Sequence, residues 1–144
     1  MEISMFRFNA DVTPTDCEPG VTRKILCYSD ELMMCEITFK KGSKGNFHHH
    51  EHLQITYVAE GSFEFTIGGE TKVVKKGDSV YMPSNVEHGV TALEDGKLVD
   101  VFNPMRQDFF KIRRLKQSCF IPRQTKKCRR HIFIMKYVPA AVSL

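Results

Sequence analysis

Between residues 32 and 104 apolar side chains recur at every second position in short runs, and glycine-containing turns separate the runs. A period of two is the spacing of a β-strand, whose successive side chains point to opposite faces. The clearest run is Ser62–Ile67, which puts Phe63, Phe65 and Ile67 on one face. Gly68-Gly69 follows, the signature of a two-residue hairpin into residues 71–75. In residues 32–39, Cys35, Ile37 and Phe39 share one face while Glu36 and Thr38 take the other. Residues 54–59, 80–82, 87–92 and 98–103 read as further strands; Lys76-Gly77-Asp78 reads as a turn, and Pro104 ends the last strand. No helical pattern precedes residue 104. Many short strands joined by turns predict an all-β fold, a small sandwich or barrel. Tyr57, Phe63, Phe65, Tyr81 and Met82 are expected to line it or fill its core.

A chain of 144 residues is about one domain. No apolar run reaches the roughly 18 to 20 residues that span a bilayer, so no membrane is expected. The first residues, MEISMFRFNADV, carry an early Glu and no basic n-region, unlike a secretory signal. Cys17, Cys27, Cys35, Cys119 and Cys128 are odd in number and form no C-x-x-C pair. They read as reduced thiols, and a cytoplasmic location is expected.

The net charge of +4 hides a division. Residues 1–110 hold 11 Lys+Arg against 17 Asp+Glu, whereas residues 111–144 hold 10 Lys+Arg and no acid. The expected organisation is one domain over 1–110 and a basic C-terminal extension over 111–144. That extension has the clusters KIRRLK and KKCRR and an apolar end, HIFIMKYVPAAVSL. It reads as a solvated extension, a dimer arm or an accessory segment of unassigned role. A nucleic-acid partner would rest on it alone, and the acidic first part gives none, so nucleic acid is not expected as a partner.

The chemistry sits in two glycine-bounded stretches, GSKGNFHHHEHLQITYVAEG (42–61) and GDSVYMPSNVEH (77–88). On a strand, His48 and His50 would share a face. With Gln54 and His88 they form a candidate metal site, since imidazole suits zinc, iron, nickel, copper and manganese. The plainer alternative is a surface histidine run or a hydrogen-bonded core histidine. His49 has the opposite parity and should face out, while His52 could reach the site through a bend. A neutral amide at Gln54 leaves a cation's charge less offset than Glu would, favouring Lewis-acid chemistry and anionic ligands. Asp100 lies in LVDVF, otherwise apolar, and a buried unpaired carboxylate is costly. It sits at an edge, pairs with a structural Arg, or points into a cavity beside Leu98 and Phe102. Arg106 is a solvated charge or a two-point grip for a carboxylate. Phe102 is by default a core residue.

Both stretches resemble the paired motifs of the cupin superfamily. In the first, Gly42 is followed after five residues by His48-x-His50, after three more by Gln54 and after six more by Gly61. In the second, Gly77 is followed after five residues by Pro83, then Asn85, then after two residues by His88. Gln54 stands where most cupins have Glu, Asn85 where they have Gly, and Ala92 where they close on Asn. The resemblance implies a double-stranded β-barrel of jelly-roll type with core motifs at 42–61 and 77–92. Over residues 20–110, HHHEHLQITYVAEG, FTIGGE, PSNVEHGV and DVFNPMRQDF are more closely similar to small cupins of pectin and alginate catabolism, the KdgF-like group.

That resemblance implies a divalent metal (Ni, Zn, Mn or Fe) on His48, His50, Gln54 and His88, with Asp100, Arg106 and Phe102 as catalytic residues. The implied substrate is a 4,5-unsaturated monouronate released by pectate or alginate lyases, opened to a 4-deoxy-5-keto-uronate. It also implies a homodimer. Two other readings use the same pocket: a metal-dependent cupin dioxygenase, and a non-catalytic cupin that binds a carbohydrate or small anion.

Overall fold

The computed structural model describes residues 4–110. The basic extension at 111–144, with its assigned boundary, lies outside the described residues. Strands β1 (Thr15–Glu18), β2 (Val21–Tyr28), β3 (Met33–Phe39), β5 (Leu53–Glu60), β8 (Ser79–Met82) and β10 (Gly96–Asn103) form one antiparallel sheet in the order β1-β2-β3-β10-β5-β8. Strands β4 (Lys44–His48), β6 (Ser62–Ile67), β7 (Glu70–Lys75) and β9 (His88–Ala92) form the second, in the order β4-β9-β6-β7. The only helical segments among the described residues are 3-10 turns at Asn9–Asp11 and Gln107–Phe110. The all-β expectation holds. The two sheets share one core in a jelly-roll arrangement, and no hydrogen-bonded pairing among the described residues closes them into a continuous barrel.

The alternating segments became strands because alternation matches the pleat. In β3, Met33, Cys35, Ile37 and Phe39 are buried and the residues between them less so. The Gly68-Gly69 hairpin has φ of 55° and 84° at its two glycines, the left-handed backbone that a two-residue turn requires. Strands β1 and β2 were not anticipated. Arg23 and Lys24 interrupt the apolar pattern of β2, although Arg23 is paired with Ile37 and shares its inward face.

Strand β5 overturns part of the core expectation. Its inward residues are Gln54, Thr56 and Val58, while Leu53, Ile55 and Tyr57 face out. Tyr57 and Tyr81 are about half exposed, at 47% and 53%, and line nothing. Phe63, Phe65 and Met82 are buried as expected. The inward row carries polar groups because that end of the sheet walls a cavity rather than a dry core.

The apolar core adjoins this cavity, and Phe39 and Leu98 belong to both. Phe39 of the first sheet meets Phe63 of the second edge to face, with centroids 5.3 Å apart. Val58, Leu98 and Ala92 pack around them. Gly61 and Gly96 permit a close crossing there, since a Cβ on Gly61 would come within 2.7 Å of the Asp95 carbonyl oxygen. Phe63 is fully buried, so Phe63→Ala should cost about 3–5 kcal/mol. Chemical denaturation should show an earlier midpoint with an unchanged slope; an unmoved midpoint would mean this packing is not what joins the sheets.

Candidate metal centre and its cavity

Three histidines converge from two elements. His48 ends β4, His88 begins β9 and is paired with His48, and His50 lies just past β4 in the loop to β5. His50 is therefore not on the strand with His48, as same-face parity required. It reaches the site because its loop is tied down: the Asn85 backbone N–H donates to the His50 carbonyl oxygen at 2.7 Å. Asn85 has φ of 61°, a left-handed conformation that Asn tolerates better than most residues. That explains how Asn serves where Gly is usual. The ligand nitrogens of His48, His50 and His88 all lie within 4.8 Å of one another. They are close enough to bind a metal, as cupins do. His49 is exposed, as its parity indicated. His52 is half-buried with its ring 5.6 Å from that of His50, and it is not part of this cluster.

The hydrogen bonds settle which nitrogens face inward. His48 Nδ1 bonds the Asn46 carbonyl oxygen at 2.7 Å, His50 Nδ1 the His52 carbonyl at 3.0 Å, and His88 Nδ1 the Val86 carbonyl at 2.8 Å. A carbonyl oxygen only accepts, so each Nδ1 carries the proton and each Nε2 offers a lone pair. His88 Nε2 is buried without a hydrogen-bond partner. His50 Nε2 lies 3.0 Å from Gln54 Oε1. Burial holds the His50 pKa down at about 4, helped by the Arg106 charge, so at neutral pH this nitrogen is unprotonated. Two acceptors thus face each other, and an orphaned third lies nearby. A cation between them would turn repulsion into attraction, and the donor set fits a divalent metal.

The Gln54 amide is oriented by a chain of hydrogen bonds. Gln54 Nε2 donates to Thr56 Oγ1 at 3.1 Å, and the Thr56 hydroxyl donates to Asp100 Oδ1 at 2.5 Å. Because the hydroxyl proton is committed to Asp100, Thr56 must accept from the amide, which turns Oε1 toward His50. Asp100 points inward beside Leu98 and Phe102 and is 8% exposed. Burial raises its pKa to about 6, against the lowering effect of the Thr56 and Gln54 hydrogen bonds and of Arg106. Burial, reinforced by Asp100, pushes the neighbouring Cys35 thiol up to about 12, so it stays protonated.

Of these groups His48, His88, Gln54, Thr56 and Asp100 line one cavity of about 280 Å³ between the sheets. Arg106 lines it too, but it is not a free grip. Its Nε and Nη2 bond both carboxylate oxygens of Asp108 at 3.0 and 2.9 Å. Its guanidinium lies 4.4 Å from the Phe109 ring centroid and 5.4 Å from that of Phe102. Two wall residues escaped the sequence reading, Thr56 and Arg23. The available signal for Thr56 was the inverted pattern of β5, with polar side chains in the inward register and apolar ones outward; for Arg23 it was a single charge between Val21 and Ile25 in the inward register of β2.

A two-sheet jelly roll with a three-histidine centre at one end of its cavity defines the cupin class. The Cupin_2 (cupin domain) family model matches residues 35–102. The chain is 47% identical over 105 residues to the pectin degradation protein KdgF of Dickeya dadantii (strain 3937), covering 71% of this chain and 96% of that protein. The chain belongs to the cupin family, and within it groups with KdgF. Among solved structures it is similar to an RmlC-like cupin from Shewanella frigidimarina, with TM-score 0.73 and 39% identity over 76% of this chain and 99% of that one. It is also similar to KdgF from Halomonas sp., with TM-score 0.71 and 38% identity over 74% and 98%.

His88→Ala removes a buried candidate ligand whose Nε2 has no hydrogen-bond partner. Bound divalent metal, measured by elemental analysis after dialysis, should fall by ~10-fold or more, since even outer partners of metal ligands are worth about 10–100-fold in affinity. Undiminished metal content would place the metal elsewhere.

Proposed function

We propose that this protein is a metal-dependent enzyme that opens the ring of 4,5-unsaturated monouronates, giving open-chain 4-deoxy-5-keto-uronates. The observation that carries the proposal is one cavity lined by His48 and His88 of the three-histidine cluster, by an inward-facing carboxylate with a raised pKa, and by arginine. The likeness to KdgF supports it. A cavity of about 280 Å³ suits a monosaccharide. His48, His50, Gln54 and His88 would hold the divalent ion. When bound, that ion supplies Lewis-acid stabilisation of negative charge developing on substrate oxygen.

The rest of the reaction falls to the chain's own residues. The substrate's ring oxygen joins the anomeric carbon to an enol-ether carbon that bears the carboxylate. Asp100, ionised above about pH 6, takes the proton of the anomeric hydroxyl. The bond between the anomeric carbon and the ring oxygen breaks, an aldehyde forms, and the ring oxygen leaves with the electron pair as an enolate. A proton delivered to carbon 4 of the enolate yields the 5-ketone, so no redox change occurs. Thr56 holds the Asp100 carboxylate in place. Phe102 is buried with its ring 5.9 Å from that of His50 and gives the cavity an apolar wall. Arg106 contributes positive charge and the donors that Asp108 leaves unused.

A homodimer in the cytoplasm belongs to the same proposal. An apolar row crosses the outer face of the six-stranded sheet, with Met34, Ile55 and Tyr81 exposed and Val101 half-buried among them, and supports the dimer. Cys27 and Cys35 are free thiols, which supports a reducing compartment.

The test follows loss of the substrate's conjugated double-bond absorbance. Asp100→Asn should lower turnover ~100-fold or more with metal content intact, because the base is gone and the shape kept. Turnover by the unsubstituted protein should fall as pH drops through about 6, or lower still if a nearby bound cation further favours the ionised carboxylate. Wild-type rates in Asp100→Asn would remove this residue from the chemistry. An inert wild-type protein that still binds the sugar would make it a binding cupin.

A further inference from the structure

Arg23 is a cationic cavity residue with no ion pair among the described residues. It comes from β2, where pairing with Ile37 sets its side chain on the inward face. Its Nε is buried without a hydrogen-bond partner. None of the ion pairs among the described residues involves it, although Glu18 and Asp100 line the same cavity. Its guanidinium lies 3.5 Å from the Phe109 ring centroid. Stacking of this kind orients the planar group but leaves its in-plane donors unused. Arg106 stacks on the same ring, yet two of its donors are spent on Asp108.

A partly buried cation whose Nε is sealed off without a partner costs stability, and a chain keeps one where an arriving anion meets it. We propose that Arg23 is the carboxylate-recognition residue of this cavity and sets its specificity for acidic over neutral sugars. Phe109 holds the guanidinium flat, so both N–H groups of one edge can meet both oxygens of a carboxylate. Arg106, fixed by Asp108, adds charge beside it rather than the two-point contact. This rests on the uronate reading of the cavity and adds to it the residue that selects the acid group.

The experiment uses the metal-loaded full chain and two readouts. Asp100→Asn is used as the binding form, and affinity for the unsaturated monouronate is measured by titration calorimetry with and without Arg23→Gln. In the otherwise unchanged protein, KM and kcat are measured for Arg23→Gln, Arg23→Met and Arg23→Lys. The expected result is a rise of ~10-fold or more in Kd and KM, the hallmark of a lost charge-assisted two-point contact, with kcat and metal content little changed. Arg23→Lys should recover only part of the affinity, because an ammonium keeps the charge without the fork. Arg23→Met should melt at the same temperature as the wild type or higher, since it removes a partly buried charge that has no ion pair.

A structural arginine gives the opposite pattern: a lower melting temperature and reduced metal content in Arg23→Met. That pattern, or Kd and KM within about twofold of wild type in Arg23→Gln, overturns the proposal. Wild-type protein that binds the uronate through Arg23 without converting it would defeat the enzymatic reading and leave this one standing.

Discussion

Strand β10 is hydrogen-bonded along both edges, to β3 on one side and β5 on the other. Its register sets what the cavity contains. Asp100 stands between Cys35 and Thr56, and Phe102 between Met33 and Gln54. A slip of one residue would turn Asp100 to solvent and bring Val99 and Val101 inside. The carboxylate would lose Thr56, and the Gln54 amide would lose the relay that aims its oxygen at His50. Gly96 secures that register at the strand's start. A Cβ there would come within 2.7 Å of both the Glu60 carbonyl oxygen and the Phe63 ring.

From that register the electrostatics of the cavity follow. An inward row of Asp100, Thr56 and Gln54 would be unfavourable in a sealed core, where desolvated polar groups need partners. Here each side chain partners the next, and the row ends on the lone pair of His50. Burial lowers the pKa of His50 and of His88, and all three imidazoles have their Nδ1 anchored to a backbone carbonyl, so the inner nitrogens are organised before any ligand arrives. Positive charge gathers on the wall at Arg23 and Arg106, beside Phe109. The apolar packing of Phe39 against Phe63 adjoins this polar wall, since Phe39 itself lines the cavity.

The residues that carried the clearest signals in the sequence were those with a fixed period or spacing. Ser62–Ile67 and its diglycine hairpin were legible to the residue, because alternation and a left-handed turn both leave marks in one chain. The histidines were legible from spacing, though His50 reaches its place by a loop tied to Asn85 and not by strand parity. Strands β1 and β2 were hidden because their inward face carries Arg23, which reads as surface until a cavity is known to lie there. Tyr57 and Tyr81 were misplaced for the mirror-image reason: their strands put apolar groups outside. Arg106 could be located, but its engagement with Asp108 depends on a turn after Pro104 that spacing does not reveal.

The central claim is that the cavity breaks the bond between the anomeric carbon and the ring oxygen, with its histidine-held cation required. Nuclear magnetic resonance of the reaction mixture reads this directly. With metal-loaded protein the vinyl proton at carbon 4 should vanish and a 5-ketone carbon should appear. After chelation and removal of the metal, conversion should slow to the rate of substrate alone. An unchanged vinyl signal with metal-loaded protein, or equal conversion by the chelated protein, would contradict the account.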